Sequence, residues 1–240
     1  MADGNGKQLA LELPASTSYQ AGDFVVAACN QLAHDSVRAW PDWPHFALGL
    51  SGPAGAGKTH LAHIWAEAAG AGIADVPRLR AAGPDALAAA GARWAVELDS
   101  AAGSLSPDDE RALFHFHNLI NAAEGALLYV SRRPLLNLPI ALPDLVSRLA
   151  VCLAVEVSAP DDAVLRVVMA KLAADRQIKL SRVVVDEVLN RVERSFAAVA
   201  AAVRAIDAAA LAGRRQISRP LAQKVMDALA DGEGNGVDEG

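Results

Sequence analysis

The sequence predicts an α/β domain with a mostly parallel sheet, followed by a small α-helical domain. Three observations carry that prediction. Short apolar runs alternate with helical patterns over residues 21–158. A GxxxxGK[ST] stretch joins the first of these runs to a helix, and strand signals fade from Pro160 onward. With 240 residues, 52% of them apolar, the chain has ample material for one large core or two small ones.

Residues 1–20 are polar and glycine-containing except for QLALELP, where Leu9, Leu11 and Leu13 alternate with Gln8, Ala10 and Glu12. Gly4, Gly6 and Pro14 fence this heptapeptide in, and the segment is expected to be flexible and to lie outside the fold. Strands are expected over 46–50, 93–98, 126–131 and 151–157, with a weaker one near 76–80. Ser106-Pro107-Asp108-Asp109-Glu110 carries the residue types of a helix start.

The helical domain is expected over 159–230. Asp161 and Asp162 suit the start of its first helix, Ser181 caps a second, and an alanine-rich third ends at Gly213. A fourth begins near Ser218, with Pro220 in its first turn. The acidic, glycine-rich residues 231–240 are expected to be disordered.

Bulk properties narrow the function. A formal charge of −6 and no dense Lys/Arg run argue against extensive direct DNA binding. Cys29 and Cys152 stand far apart without a CxxC partner and read as two reduced thiols. No signal segment opens the chain and no apolar run is expected to span a membrane, so a cytoplasmic protein is expected.

The chemistry centres on Gly52-Pro53-Ala54-Gly55-Ala56-Gly57-Lys58-Thr59, with His60 next in line. Glycines let backbone N–H groups wrap a phosphate, and the helix start adds partial positive charge. Lys58 adds a full charge, and the Thr59 hydroxyl suits Mg²⁺. The pattern predicts a bound nucleoside di- or triphosphate.

A neighbouring acidic strand reads Arg93-Trp94-Ala95-Val96-Glu97-Leu98-Asp99. Glu97 is placed to support Mg²⁺, while the next position, where a carboxylate would orient an attacking water, is Leu98. Asp99 is expected to point to the opposite face of the strand. General bases contribute ~10²–10⁴-fold, so slow intrinsic hydrolysis is expected.

These residues resemble the AAA+ module of the bacterial replication initiator DnaA. More narrowly, the chain is similar to the Hda family of DnaA-related regulatory inactivators in its alphaproteobacterial form, from Lys7 to about Leu229. The resemblance implies that Phe24 and Val25, with Asn30 nearby, close over an adenine, and that the resident nucleotide is ADP or ATP with Mg²⁺. It places a first nucleotide sensor at Ser131 in Ser131-Arg132-Arg133-Pro134, and a second at Arg194. In LPDLVSRL it places at Arg148 an arginine finger directed at a nucleotide on a neighbouring subunit. A bland alternative pairs Arg148 with Asp144 one turn earlier.

The same resemblance gives the opening heptapeptide a role. Gln8, Leu9, Leu11 and Leu13 match a segment that docks on the DNA polymerase sliding clamp. It also implies DnaA as a partner, makes a homodimer plausible, and leads one to expect no DNA-reading domain after the lid. Two other classes stay open: an autonomous P-loop ATPase or kinase, and a DnaA-like adaptor that does not trigger hydrolysis.

Overall fold

The computed structural model of the chain describes residues 24–99, 104–213 and 215–234. The heptapeptide with Gln8, Leu9, Leu11 and Leu13 lies outside the described residues, as do the last six residues.

Five parallel strands form one sheet in the order β2-β3-β4-β1-β5. They are β1 (Ala47–Ser51), β2 (Gly72–Asp75), β3 (Arg93–Glu97), β4 (Ala126–Ser131) and β5 (Leu153–Glu156). β1 and β4 are buried at every position, as expected of central strands covered on both faces. Helices α1 (Gln31–Arg38) and α2 (Lys58–Ala69) cover one face, around Trp65, Leu61 and Leu48. The other face carries α3 (Val76–Ala82), α4 (Pro84–Ala90), α5 (Pro107–Ala122) and α6 (Pro143–Ala150), packed around Tyr129, Phe116, Leu145 and Leu149.

Two expectations need correction. Residues near 76–80 are not a strand but helix α3; the edge strand is the preceding β2. Asp75 caps this helix, its Oδ1 accepting the Arg78 N–H at 2.8 Å, and Pro77 suits the first turn. Leu98 and Asp99 lie beyond the last residue of β3, so strand alternation does not extend to Asp99.

The helical domain follows as α7 (Asp162–Asp175), α8 (Arg182–Leu189), α9 (Phe196–Gly213) and α10 (Arg219–Gly234). Asp161 and Ser181 cap the first two as expected, through the Val164 and Val184 amides at 2.8 and 3.4 Å. α10 runs past Asp231, where disorder was expected to begin. α9, at 18 residues and a mean hydropathy of 1.6, reaches the length and composition of a membrane span, which the sequence was not expected to contain. Here it packs by one face: Val199, Ala202, Val203 and Ile206 are buried in one cluster with Leu165, Met169 and Val188, and Arg204 and Asp207 lie on the same helix.

Candidate nucleotide site and finger helix

The loop 52–57 leaves the carboxyl end of β1 at the centre of the sheet, the end where open parallel sheets collect ligands. Its shape depends on two glycines. Gly52 has φ +148°, and a Cβ there would lie 2.1 Å from the Val157 carbonyl oxygen. Gly55 has φ +68°, and a Cβ would lie 2.4 Å from Ser195 Cβ. A side chain at either place would fill the space that the backbone needs.

Lys58 opens α2 and is buried. Its Nζ donates to the Gly52 and Pro53 carbonyls, both at 2.7 Å, drawing the loop into a cradle. Burial lowers its pKa; Asp99 and Glu97 oppose that and Arg132 reinforces it. No side chain caps α2, whose N-cap is Gly57, so its first-turn N–H groups suit an anion. Thr59 Oγ1 donates to Glu97 Oε1 at 3.0 Å, which brings together the hydroxyl and the carboxylate expected to serve Mg²⁺. The donor set fits a nucleotide phosphate with a hard divalent cation.

Phe24 stacks on His34 at 5.9 Å between centroids and meets His60 edge-on at 5.2 Å. Its ring and that of Phe196 come to 3.3 and 3.6 Å of a Cβ built on Gly57, so both wall the end of the loop. Asn30 holds this segment in place: Oδ1 accepts the Ala27 N–H at 2.8 Å and Nδ2 donates to the Val25 carbonyl at 3.0 Å. Phe24 packs with the sheet core, while Val25 packs with the core of the helical domain. The two domains also meet at the loop itself, where the Phe196 N–H donates to the Gly55 carbonyl at 2.9 Å.

Some expected residues are engaged elsewhere. Ser131 is fully buried, and its hydroxyl donates to the Arg133 carbonyl at 2.6 Å rather than standing free at the cradle. Arg194 is exposed and its Nε donates to Asp162 at 2.9 Å. The helical-domain residues that meet the loop are Ser195, Phe196 and Ala197.

Sequence reasoning missed Asp99 and Arg132 as a pair. Asp99 Oδ1 accepts the Arg132 N–H at 2.9 Å, and Oδ2 lies 3.7 Å from Arg132 Nε. Both stand just past the ends of their strands, and Asp99 is the charge that acts most on Lys58. Asp99 and Arg132 lie thirty-three residues apart, just past neighbouring strands, so no local pattern in the sequence points to the pair.

Arg148 lies on the exposed side of α6, whose Leu145 and Leu149 are buried in the sheet core. Among the described residues no ion pair involves it, and none forms with Asp144. On α5, buried His117 shares a 2.8 Å hydrogen bond with Tyr129 Oη. Burial, with Arg148 and His45 adding to it, pushes the His117 pKa down to about 4.

Comparison with known proteins places this geometry. Residues 161–226 match the family model described as Hda, lid domain. Domain III of the replication initiation protein DnaA of Thermotoga maritima superposes with a TM-score of 0.75 at 17% identity, over 90% of this chain and 98% of that one. AMPPCP-bound DnaA of Aquifex aeolicus gives 0.67 at 18% identity, over 78% of this chain and 64% of that one. The Thermotoga maritima RuvB Holliday junction branch migration motor gives 0.68 at 15% identity, over 88% and 72%. No curated protein matches the sequence. The fold is therefore the P-loop AAA+ module with a helical lid.

Proposed function

On the premise that this chain is an Hda-like, DnaA-related protein, we propose that it restrains replication initiation by stimulating hydrolysis of ATP bound to DnaA. The observation that carries the reading is Arg148, a cation on a helix anchored by buried Leu145 and Leu149, yet itself exposed and without an ion pair among the described residues. A guanidinium presented in this way suits a nucleotide on another subunit. There it would stabilise charge developing on the transferred phosphoryl group, an effect worth ~10³–10⁵ in rate.

In this reading the chain's own cradle holds nucleotide rather than turning it over. Residues 52–59 and His60 would take the phosphates of ADP or ATP, with Phe24 and Val25 at the base. Thr59 and Glu97 would hold Mg²⁺. Leu98 follows Glu97 and is buried, so the position after the acidic residue supplies no base. Gln8, Leu9, Leu11 and Leu13 would tether the protein to the DNA polymerase sliding clamp in the cytoplasm, confining its action to replicated DNA.

One assay tests this: hydrolysis of DnaA-bound ATP on DNA carrying loaded clamp. The wild-type chain is expected to accelerate it. Arg148→Ala is expected to abolish the acceleration while leaving nucleotide binding by the chain intact. Gln8→Ala with Leu11→Ala is expected to remove the clamp-dependent part of the acceleration while leaving nucleotide binding and thermal stability intact. Full stimulation by Arg148→Ala would sink the finger assignment.

A further inference from the structure

Helix α6 is eight residues long and begins without a cap of its own, because its N-cap is Leu142, whose side chain accepts nothing. A carboxylate from another helix instead holds the two residues that lead into it. Glu110, in the first turn of α5, is 4% exposed. Its Oε1 accepts the Ala141 N–H at 2.9 Å and its Oε2 the Leu142 N–H at 2.8 Å. Both oxygens of one buried carboxylate are thus spent on the two consecutive amides ahead of Pro143.

The arrangement is costly unless fully satisfied. A buried carboxylate loses its hydration, and two charge-assisted bonds offset that loss only when both donors are held in place. The carboxylate also lies at the positive end of the α6 dipole. At the other end of the helix, Cys152 Sγ donates to the Arg148 carbonyl at 3.4 Å. Leu145 and Leu149 anchor the face between. The backbone that carries Arg148 is therefore held at its start, middle and end, while its side chain remains in solvent.

We propose that Glu110 is a positioning residue for Arg148: its carboxylate sets where α6 begins and so where the guanidinium stands relative to a partner's nucleotide. The inference rests on the reading of Arg148 as a finger. It adds that the finger's aim is set from α5, more than thirty residues earlier in the chain. Misplacement of a reacting group by about 1 Å can cost ~10²-fold in rate.

The test is the DnaA–ATP hydrolysis assay with Glu110→Gln, which keeps the shape but turns an amide N–H toward a backbone donor. The maximal rate at saturating chain is expected to fall ~10–100-fold. The half-saturating concentration and the chain's own affinity for ADP are expected to change less than about threefold, a split that general loss of structure would not produce. In an Arg148→Ala background the same substitution is expected to cost nothing further.

Glu110→Asp keeps the charge and both acceptors but draws them back by one methylene. Its maximal rate is expected to fall ~3–10-fold below wild type with ADP affinity unchanged, so the question stays answerable if the glutamine variant does not fold. A full maximal rate from the folded variants, or a parallel loss of ADP affinity, would overturn the positioning role. Full stimulation by Arg148→Ala alone would instead overturn the finger reading beneath it.

Discussion

The phosphate loop and α6 hold their cations in opposite ways. Lys58 is buried, and its ammonium is satisfied by carbonyls five and six residues away in the same loop. Arg148 is exposed, and what is fixed is not its guanidinium but the helix beneath it, by Glu110 from α5 and by the packing of Leu145 and Leu149. A charge that must meet a ligand in its own pocket is preorganised at the side chain. In the proposed reading, a charge that acts inside another molecule is preorganised at the backbone, and the side chain keeps the reach that a neighbour's phosphate would require.

The largest effect should come from breaking the first arrangement. Lys58→Ala removes a full charge and its hydrogen bonds from the cradle, and charge-assisted bonds contribute roughly 1.5–3 kcal/mol each. ADP affinity measured by calorimetric titration is expected to drop ~10²–10⁴-fold. The fold is expected to survive, because the substitution removes an ammonium that is buried at a cost. Unchanged ADP affinity would mean that the loop is not the nucleotide site.

A buried group on α5, the helix that supplies Glu110, makes stability depend on pH. His117 lies on α5 against Tyr129, and burial, then Arg148 and His45, push its pKa down to about 4 from an ordinary 6.5. The unfolded chain takes up a proton as pH falls through 6.5, whereas the folded chain resists until about 4. The stability tied to neutral His117 is therefore complete above pH 6.5 and is lost as pH falls through 4, on the order of 3 kcal/mol in all. Urea unfolding at pH 7 and pH 4.5 should show most of that loss, and His117→Gln should flatten the slope. An equal slope in the variant would place the pH dependence elsewhere.

The same contrast explains what could be read from the sequence. The cradle is written in eight consecutive residues whose chemistry is local, and the strands that frame it were foreseen within one or two residues, because uninterrupted apolar runs mark central parallel strands. The edge strand β2 was missed: it has four residues, one of them buried, and no pattern of its own. Asp75 and Pro77, a cap and a first-turn proline, were the local sign that 76–80 turns helical. The Glu110 clamp, the His117–Tyr129 bond and the Asp99–Arg132 pair each join residues that only the tertiary fold brings together. No periodicity announces them. The leucine-rich heptapeptide lies outside the described residues, so its role rests on the sequence pattern alone.

The smallest effect sharpens the comparison most, because it concerns a third cation that follows neither arrangement. Arg194 was expected to reach the phosphates from the lid, yet its Nε is held by Asp162 at 2.9 Å and both side chains are largely solvated. The contacts across the loop come instead from Ser195, whose Cβ would meet a Gly55 methyl at 2.4 Å, and from Ala197, at 3.5 Å, which brings no charge. Solvated pairs of this kind add little to stability, so Arg194→Ala should leave the melting temperature almost unchanged. ADP affinity should weaken by less than about threefold, far short of the loss from Lys58→Ala, since a solvated contact contributes little. If Arg194→Ala instead matches Lys58→Ala in ADP titration, and Asp162→Ala tightens binding, then Arg194 leaves its partner when nucleotide arrives. The lid arginine would then belong with Lys58, as a side chain preorganised for its own pocket, and Arg148 would be left as the cation built to act outside it.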